Sequence, residues 1–210
     1  SYGMVELPKG MGRMKSREGT VVDADDLMED IIDSAQEMTQ ERGHIDGMSD
    51  DEKRSLFELI GLGGLKYYLL KVDPKKKLVF DPNESIELNG NTGPFIQYAH
   101  ARIKSLLGKT DQSASLEGIS GFLPEEKSIV KQLVEFEQVI IDAGANRSPA
   151  LIANYTYELV KQYNHFYQSV TILKEESEQL RAMRLLLSEN VAKVIALSMG
   201  LLGVNVPERM

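Results

Sequence analysis

The chain contains 210 residues, of which 42% are hydrophobic and 27% are charged, and it carries a formal net charge of −8 with no cysteine. These values are ordinary for a soluble globular protein of one or two domains, and they exclude a disulfide framework and a thiolate metal site. His44, His100 and His165 are too scattered to indicate a metal centre, and no apolar run approaches the roughly 20 residues of a membrane span, so we expect a cytoplasmic protein without a membrane partner.

The chain begins with the short apolar segment SYGMVEL, which predicts a strand or the end of one. Because it has no initiator methionine, we expect a fragment of a longer protein. Residues 8–22 are rich in glycine, lysine and arginine without a steady period, which predicts a loop. Within this loop, GRMKSREGT at 12–20 combines cations, glycines and hydroxyl residues, which is typical either of an ordinary mobile loop or of one that handles phosphate.

Two helices are predicted next. Apolar residues recur at helical spacing from Ala24 to about Arg42. A second helical segment starts at Ser49, and Glu52 three residues later has the spacing of a capping box. Glycines at 61, 63 and 64 each lower helix propensity by up to about 1 kcal/mol, which predicts a kink or two shorter helices near residue 62. Two Asp-Pro turns then flank a short predicted strand, Leu78–Phe80.

The character of the sequence changes near residue 92. Amphipathic helices are predicted at 94–107, 124–143, 149–173 and 176–203, with Pro124 and Pro149 in first turns and Ser148 as a cap. Residues 1–90 carry 12 basic and 19 acidic side chains (net −7), whereas residues 91–210 carry 12 and 13 (net −1), so the total charge does not exclude a local basic face. The predicted fold is mainly α: an antiparallel helical bundle at 92–210, preceded by a small α+β segment at 1–91.

The segment NTGPFIQYAHARI, from Asn91 to Ile103, is long and unusual in composition. It resembles the junction in class I arginyl-tRNA synthetases at which the catalytic part passes into the helical anticodon-binding bundle. Three later segments agree in the same order. Pro149–Tyr167 is similar to the central helix of that bundle, Ser177–Leu187 to its Asp-Ala-Leu-Arg region with Glu178-Gln179 in place of Asp-Ala, and the final LLGVNVPERM to the family's C-terminus. The resemblance covers essentially the whole chain.

The resemblance also implies a role for the loop. RMKSREG is similar to a degenerate form of the lysine-rich signature loop of class I synthetases, whose flexible cations stabilise charge that spreads over the triphosphate in the transition state. Aligned on Met14, the loop has Arg13 and Ser16 where lysines are usual, which leaves Lys15 or Arg17 as the substitute cation. The implied catalytic residues are Lys15, Ser16 and Arg17, and the implied ATP-loop residues are Gly12, Arg13, Met14 and Gly19.

The resemblance further implies that the bundle contacts tRNA. One predicted helix carries several aromatic residues, most of which we expect to pack in the core while one or two stack on unpaired anticodon bases; they are Tyr155, Tyr157, Tyr163, Phe166 and Tyr167. Cations on the later helices are expected either to contact phosphates or to form a solvated face. His100 and Arg102 are expected to fix the interface between the two parts. The expected tRNA-binding residues are Tyr157, Tyr163, Arg181, Arg184, Arg209 and Met210.

The implied function is that of the C-terminal part of an enzyme that joins arginine to tRNA-Arg with ATP and Mg²⁺, and we expect a monomer. Arginine and ATP would bind through an upstream domain, because no His-x-Gly-His signature and no glycine-rich nucleotide unit occurs in these 210 residues, so the fragment alone is expected to be inactive and to hold no metal. Two alternatives stay open: the anticodon module of another synthetase, such as a glycyl enzyme, and a helical protein-interaction bundle without an RNA role.

Overall fold

The computed structural model describes residues 3–6, 8, 23–42, 45–119 and 121–210. Two short strands, β1 (Val5–Glu6) and β2 (Leu78–Val79), pair in parallel with Val5 opposite Leu78. The described ranges contain seven helices: α1 (Ala24–Arg42), α2 (Asp50–Leu70), α3 (Pro82–Ser85), α4 (Gly93–Leu107), α5 (Pro124–Asn146), α6 (Pro149–Ser169) and α7 (Glu178–Leu201). The predicted fold class, a helical bundle preceded by a small α+β segment, is confirmed.

Local signals in the sequence set where several helices begin. Ser49 and Glu52 form the predicted capping box, in which the Glu52 carboxylate accepts the backbone N–H of Ser49 at 2.7 Å. Thr92 caps α4 through the N–H of Phe95, and prolines occupy the first turns of α5 and α6 as predicted. Ser148 stands at the N-cap position of α6 but makes no side-chain capping bond. The short helix α3 was not predicted, because its Asp-Pro start also fits a simple turn.

Of the two outcomes predicted near residue 62, two shorter helices is wrong, since α2 is a continuous helix from Asp50 to Leu70. The glycines serve close approach between segments. A Cβ on Gly61 would lie 3.1 Å from the backbone of α1, and one on Gly64 would lie 2.7 Å from the carbonyl oxygen of Ser85. A Cβ on Gly93 would lie 2.7 Å from the carbonyl oxygen of Gly63. Tertiary packing against these bare backbones therefore offsets the low helix propensity of glycine.

The main hydrophobic core lies between α4, α5, α6 and α7, where Ile103, Leu159 and Phe166 are fully buried. A smaller cluster joins α1, α2 and α4, and Met210 packs into it at 7% exposure. A third lies beneath β2 around Phe80. The described residues thus form one bundle core and two satellite cores that fasten the first part of the chain to it.

A polar junction connects the end of α2 to the starts of α4 and α6. The Lys71 ammonium donates to the carbonyl oxygen of Asn91 at 2.9 Å, and the Lys71 carbonyl accepts from the Asn154 side chain at 3.1 Å. The Asn91 amide donates to the Asn154 side-chain oxygen at 3.1 Å. Burial lowers the pKa of Lys71, an effect that the nearby Glu84 carboxylate opposes. This junction fixes the direction in which α4 leaves the first part of the chain.

The C-terminal segment, residues 203–210, returns across α4. The buried amide of Gln97 donates to the carbonyl oxygen of Asn205 at 2.9 Å, and Nδ1 of His100 lies 2.8 Å from the carbonyl oxygen of Pro207. Because that carbonyl can only accept, the His100 Nδ1 carries the proton in this contact. Burial lowers the pKa of His100. His100 thus ties α4 to the C-terminal segment, and its expected role at the interface between the two parts stays a prediction.

Candidate nucleic-acid interface

A groove opens between the second half of α4, the end of α6 and the C-terminal segment. Its floor is apolar, from Ala101, Leu106 and Leu107. Tyr98 and Tyr167 present half-buried rings to it. Among the described residues that line the groove, four are cations and one is a carboxylate: Arg102, Lys104, Lys109, Arg209 and Glu208. The groove is therefore locally basic in a chain whose net charge is −8.

Arg102 is held at the groove by three partners. Its guanidinium carbon lies 4.7 Å from the centre of the Tyr98 ring and 5.5 Å from the centre of the Tyr167 ring. Its NH1 group donates to the side-chain oxygen of Asn164 at 3.0 Å. Such cation–π contacts contribute about 0.5–1 kcal/mol each at exposed sites. The geometry fixes a planar cation between two aromatic rings while leaving it half exposed.

Lys104 is partly neutralised, since its ammonium lies 2.8 Å from the Glu208 carboxylate. A hydrogen bond from Lys104, with its charge, lowers the pKa of Glu208. This pair is solvent-exposed and contributes little to stability. Lys109 is exposed at the end of α4, where it borders the groove. Of the three cations that α4 and its end contribute to the groove, Arg102 and Lys109 therefore supply most of the positive charge.

The groove continues past the end of α6. Leu106 and Tyr167 also border a hollow formed by residues 167–174, and Lys109 borders a second hollow with Gln112, Leu173 and Arg181. Lys174 is exposed at the rim of the first hollow. The basic surface thus runs from the C-terminal segment to the α4–α5 and α6–α7 connections. Aromatic faces beside a basic track can stack unpaired bases and contact phosphates, which is the arrangement that single-stranded nucleic acid requires.

Several predicted site residues lie outside the described residues. These are the three catalytic and four ATP-loop positions: Lys15, Ser16, Arg17, Gly12, Arg13, Met14 and Gly19. Their roles stay predictions.

Two of the predicted RNA contacts are corrected by the structure, because their side chains are buried. Tyr163 is fully buried, its hydroxyl donates to Ser188 at 3.0 Å, and burial raises its pKa. Arg184 is 5% exposed, and its guanidinium contacts Glu126 at 2.8 Å and Glu175 at 2.6 Å. The guanidinium of Arg184 also donates to a backbone carbonyl at 2.6 Å. Neither side chain can reach RNA without rearrangement of the bundle.

Tyr157 and Arg181 are half-buried. The Tyr157 ring lies 5.7 Å from that of Phe95, and the Lys161 ammonium lies 5.1 Å from its centre. Ten residues of α6, a rise of about 15 Å, separate Tyr157 from Tyr167 in the groove. Arg181 borders the extension of the groove but directs its hydrogen bonds inward. Their contacts to RNA stay predictions.

Arg209 and Met210 both border the groove. Arg209 donates to the carbonyl oxygen of Asp46, and Met210 packs against Ala35 and Leu56. The structure therefore brings these two predicted residues next to Arg102 and Tyr98. Their contacts order the C-terminal segment as one wall of the groove.

Sequence reasoning missed the arrangement around Arg102, which it assigned to an interface between the two parts. Tyr98 and Arg102 are four residues apart and therefore share a helix face, a signal that the sequence does contain. Tyr167 was noted among the aromatic residues of its helix, but no sequence signal places it beside α4. Lys109 follows the end of α4 and lies outside the predicted helix 94–107.

None of the described helices could span a lipid bilayer, and no three described side chains able to ligate a metal converge. Residues 96–210 match the family model of the DALR anticodon binding domain, and residues 1–81 match that of the class I (R) tRNA synthetase catalytic domain.

Relatives and solved structures agree with the family models. The chain is 53% identical over 210 residues to an arginine–tRNA ligase of Flavobacterium psychrophilum and 52% identical over 215 residues to one of Bacteroides thetaiotaomicron. All of the chain is covered, but only 35% and 36% of those proteins, so it spans about a third of their length. Thermus thermophilus arginyl-tRNA synthetase aligns over 100% of the chain and 35% of its own, with a TM-score of 0.89 at 29% identity.

Proposed function

Because the chain belongs to the class I arginyl-tRNA synthetases and corresponds to their C-terminal region, we propose that it binds the anticodon arm of tRNA-Arg in the groove along α4. The observation that carries this proposal is Arg102, held between the rings of Tyr98 and Tyr167 on a basic surface. The rings offer faces for unpaired bases, and the guanidinium offers a planar cation for a base edge or a phosphate.

Each residue of the groove has a distinct task in this proposal. Tyr167 and Tyr98 stack on bases of the anticodon loop. Arg102 holds the two rings in place, and its own position is set by its hydrogen bond to Asn164. Lys109 contacts a phosphate of the RNA backbone, which adds affinity that does not depend on sequence. The C-terminal segment supplies the opposite wall through Arg209.

The activity of the whole protein is part of the same proposal. The chain spans about a third of its relatives, so we propose that a longer protein ligates arginine to tRNA-Arg in the cytoplasm, as a monomer, with ATP and Mg²⁺ bound mainly by the preceding part. Residues 1–91 would then end the catalytic domain and residues 92–210 would form the anticodon-binding domain. Lys15 or Arg17, with Ser16, would close over the triphosphate, so the chain alone should not charge tRNA.

The test is direct binding of the chain to fluorescently labelled tRNA-Arg, measured by anisotropy over a salt series. We expect binding that weakens with salt. The slope of log K against the logarithm of the salt concentration should correspond to several phosphate contacts, each of which contributes about 0.7–0.9. A tRNA-Arg with altered anticodon bases should bind more weakly at every salt concentration. Equal affinity for both RNAs would refute recognition of the anticodon, and undetectable binding at low salt would favour a protein-interaction bundle.

A further inference from the structure

The connection between α4 and α5 is fastened to the first turns of α7. The side chain of Gln112 donates through Nε2 to the carbonyl oxygen of Glu178 at 2.9 Å, and its Oε1 accepts from Nε of Arg181. Further along, the backbone N–H of Ser115 donates to the carbonyl oxygen of Ala182 at 3.3 Å. The amide of Gln112 therefore has both of its ends satisfied by α7.

Arg181 joins this connection to a second one. Besides its bond to Gln112, its NH1 group donates to the carbonyl oxygen of Glu175 at 2.7 Å, in the segment between α6 and α7. A planar guanidinium can hold two acceptors in fixed directions, which an ammonium cannot do with the same geometry. We name the pair Gln112 and Arg181 the clip, because it holds the two connections against α7.

Lys109 lies between the end of α4 and the clip. Its backbone N–H donates to the carbonyl oxygen of Leu106 at 3.2 Å, and Gln112 follows three residues later. The Lys109 side chain is exposed and borders both the groove and the hollow that Gln112 and Arg181 line. The backbone of Lys109 is thus restrained on one side by α4 and on the other by the clip.

We propose that Gln112 and Arg181 are positioning residues for RNA binding, which fix Lys109 at the edge of the groove, and that Arg181 itself makes no phosphate contact. This inference rests on the proposed function. Without the clip, the connection would sample more conformations and the Lys109 charge would be spread over them. The entropy lost on ordering the connection would then oppose RNA binding. With the clip in place, the connection is already ordered before RNA binds, so this cost does not arise.

The decisive variant is Gln112→Ala, because it removes the clip without changing any charge. We expect the affinity for tRNA-Arg to fall about three- to fivefold in the anisotropy assay, which lies within the cost of ordering one long side chain. Arg181→Lys keeps the charge but loses the planar guanidinium that holds two acceptors, so it should weaken binding by a similar factor. Lys131→Ala, which removes an exposed cation from α5, is the matched control and should bind as the wild type does.

A double-mutant cycle tests whether the clip acts through Lys109. Lys109→Ala should reduce the salt slope by about 0.7–0.9, as expected for one lost phosphate contact. Adding Gln112→Ala to Lys109→Ala should weaken binding no further, because the cation that the clip positions is already absent. Melting curves by circular dichroism confirm that each variant is folded, and Gln112→Asn, which shortens the side chain, replaces Gln112→Ala if the latter unfolds.

Three results would overturn the inference. They are wild-type affinity of Gln112→Ala, an effect of Gln112→Ala that adds to that of Lys109→Ala, and full affinity of Arg181→Lys where Arg181→Gln loses affinity. The last result would assign Arg181 to direct phosphate contact. These are distinct from a failure of the proposed function, in which the wild-type chain itself does not bind tRNA-Arg and the clip has no RNA to position.

Discussion

Arg102 and Arg184 are both arginines in the middle of helices of the bundle, and they have opposite surroundings. Arg102 lies between two aromatic rings and an amide, none of which carries a negative charge. Arg184 lies between two carboxylates and is 5% exposed. The difference shows that the partners of a cation, rather than its place on an amphipathic helix, decide whether it can meet an RNA phosphate.

The two sites also differ in what holds them. Glu126, the more buried of the two partners of Arg184, is 1% exposed, and its carboxylate also accepts the backbone N–H of Leu123 at 2.7 Å, so the pair fixes the start of α5 against α7. The groove around Arg102 is instead half open and made by segments from three parts of the chain. One site contributes to the stability of the bundle, and the other is available for binding.

The largest expected effect is that of Arg184→Met on stability. It leaves the Glu126 carboxylate buried without its partner, which costs about 3–5 kcal/mol in the free energy of unfolding. Urea denaturation followed by circular dichroism measures this loss. The double variant Glu126→Leu/Arg184→Met should recover much of it, because no uncompensated charge remains. A loss below about 1 kcal/mol in the single variant, the size expected for an exposed pair, would show that Arg184 is not a buried anchor.

Tyr167→Leu should change binding rather than stability. The leucine keeps an apolar contact but removes the aromatic face, so the affinity for tRNA-Arg should fall about tenfold, within the range of base–aromatic stacking. The anisotropy assay measures it, and the free energy of unfolding should change by less than about 1 kcal/mol. Tyr157→Leu on the same helix is the matched comparison. If it lowers affinity and Tyr167→Leu does not, RNA binds near Phe95 rather than in the groove.

Arg102→Lys should have a smaller effect on the same assay. The lysine retains the charge but cannot stack as a plane between Tyr98 and Tyr167 or keep the same bond to Asn164. We expect about a threefold loss of affinity with an unchanged salt slope, since the number of cations is the same. A reduced slope with unaltered preference for the native anticodon would instead make Arg102 a simple phosphate contact.

The smallest expected effect concerns acid stability at the Arg184 site. The backbone N–H of Ser177, followed by the Arg184 side chain, lowers the pKa of Glu175 below its ordinary 4.5. Ionised Glu175 therefore adds stability above about pH 4.5, and this contribution is lost as the pH falls through the lower value of the folded state. Urea unfolding at pH 7 and pH 3.5 should show a smaller difference for Glu175→Gln than for the wild type. Glu176→Gln, at the exposed neighbouring position, is the control and should behave as the wild type does. If Glu175→Gln and the wild type show equal differences between the two pH values, the assignment is contradicted.

Much of the secondary structure could be predicted because its signals are local. Helical periodicity, the Ser49–Glu52 capping box and the prolines in first turns each involve residues within one or two turns. The glycines of α2 misled the prediction, since their propensity is a local quantity whereas their use is to admit α1, α3 and α4 closely. Helix ends also shifted by a few residues, as at Ser169, where the predicted helix ran to 173.

The sequence by itself determined the helical bundle, the family resemblance and the presence of a basic and aromatic set of residues in the second half of the chain. The tertiary structure decided which of them share a surface: Tyr98 and Tyr167 meet across 69 positions of sequence at Arg102, whereas Glu126 meets Arg184 across 58 and removes it from solvent. Burial and charge pairing depend on which distant segments pack together, and no pattern of a few residues encodes that choice.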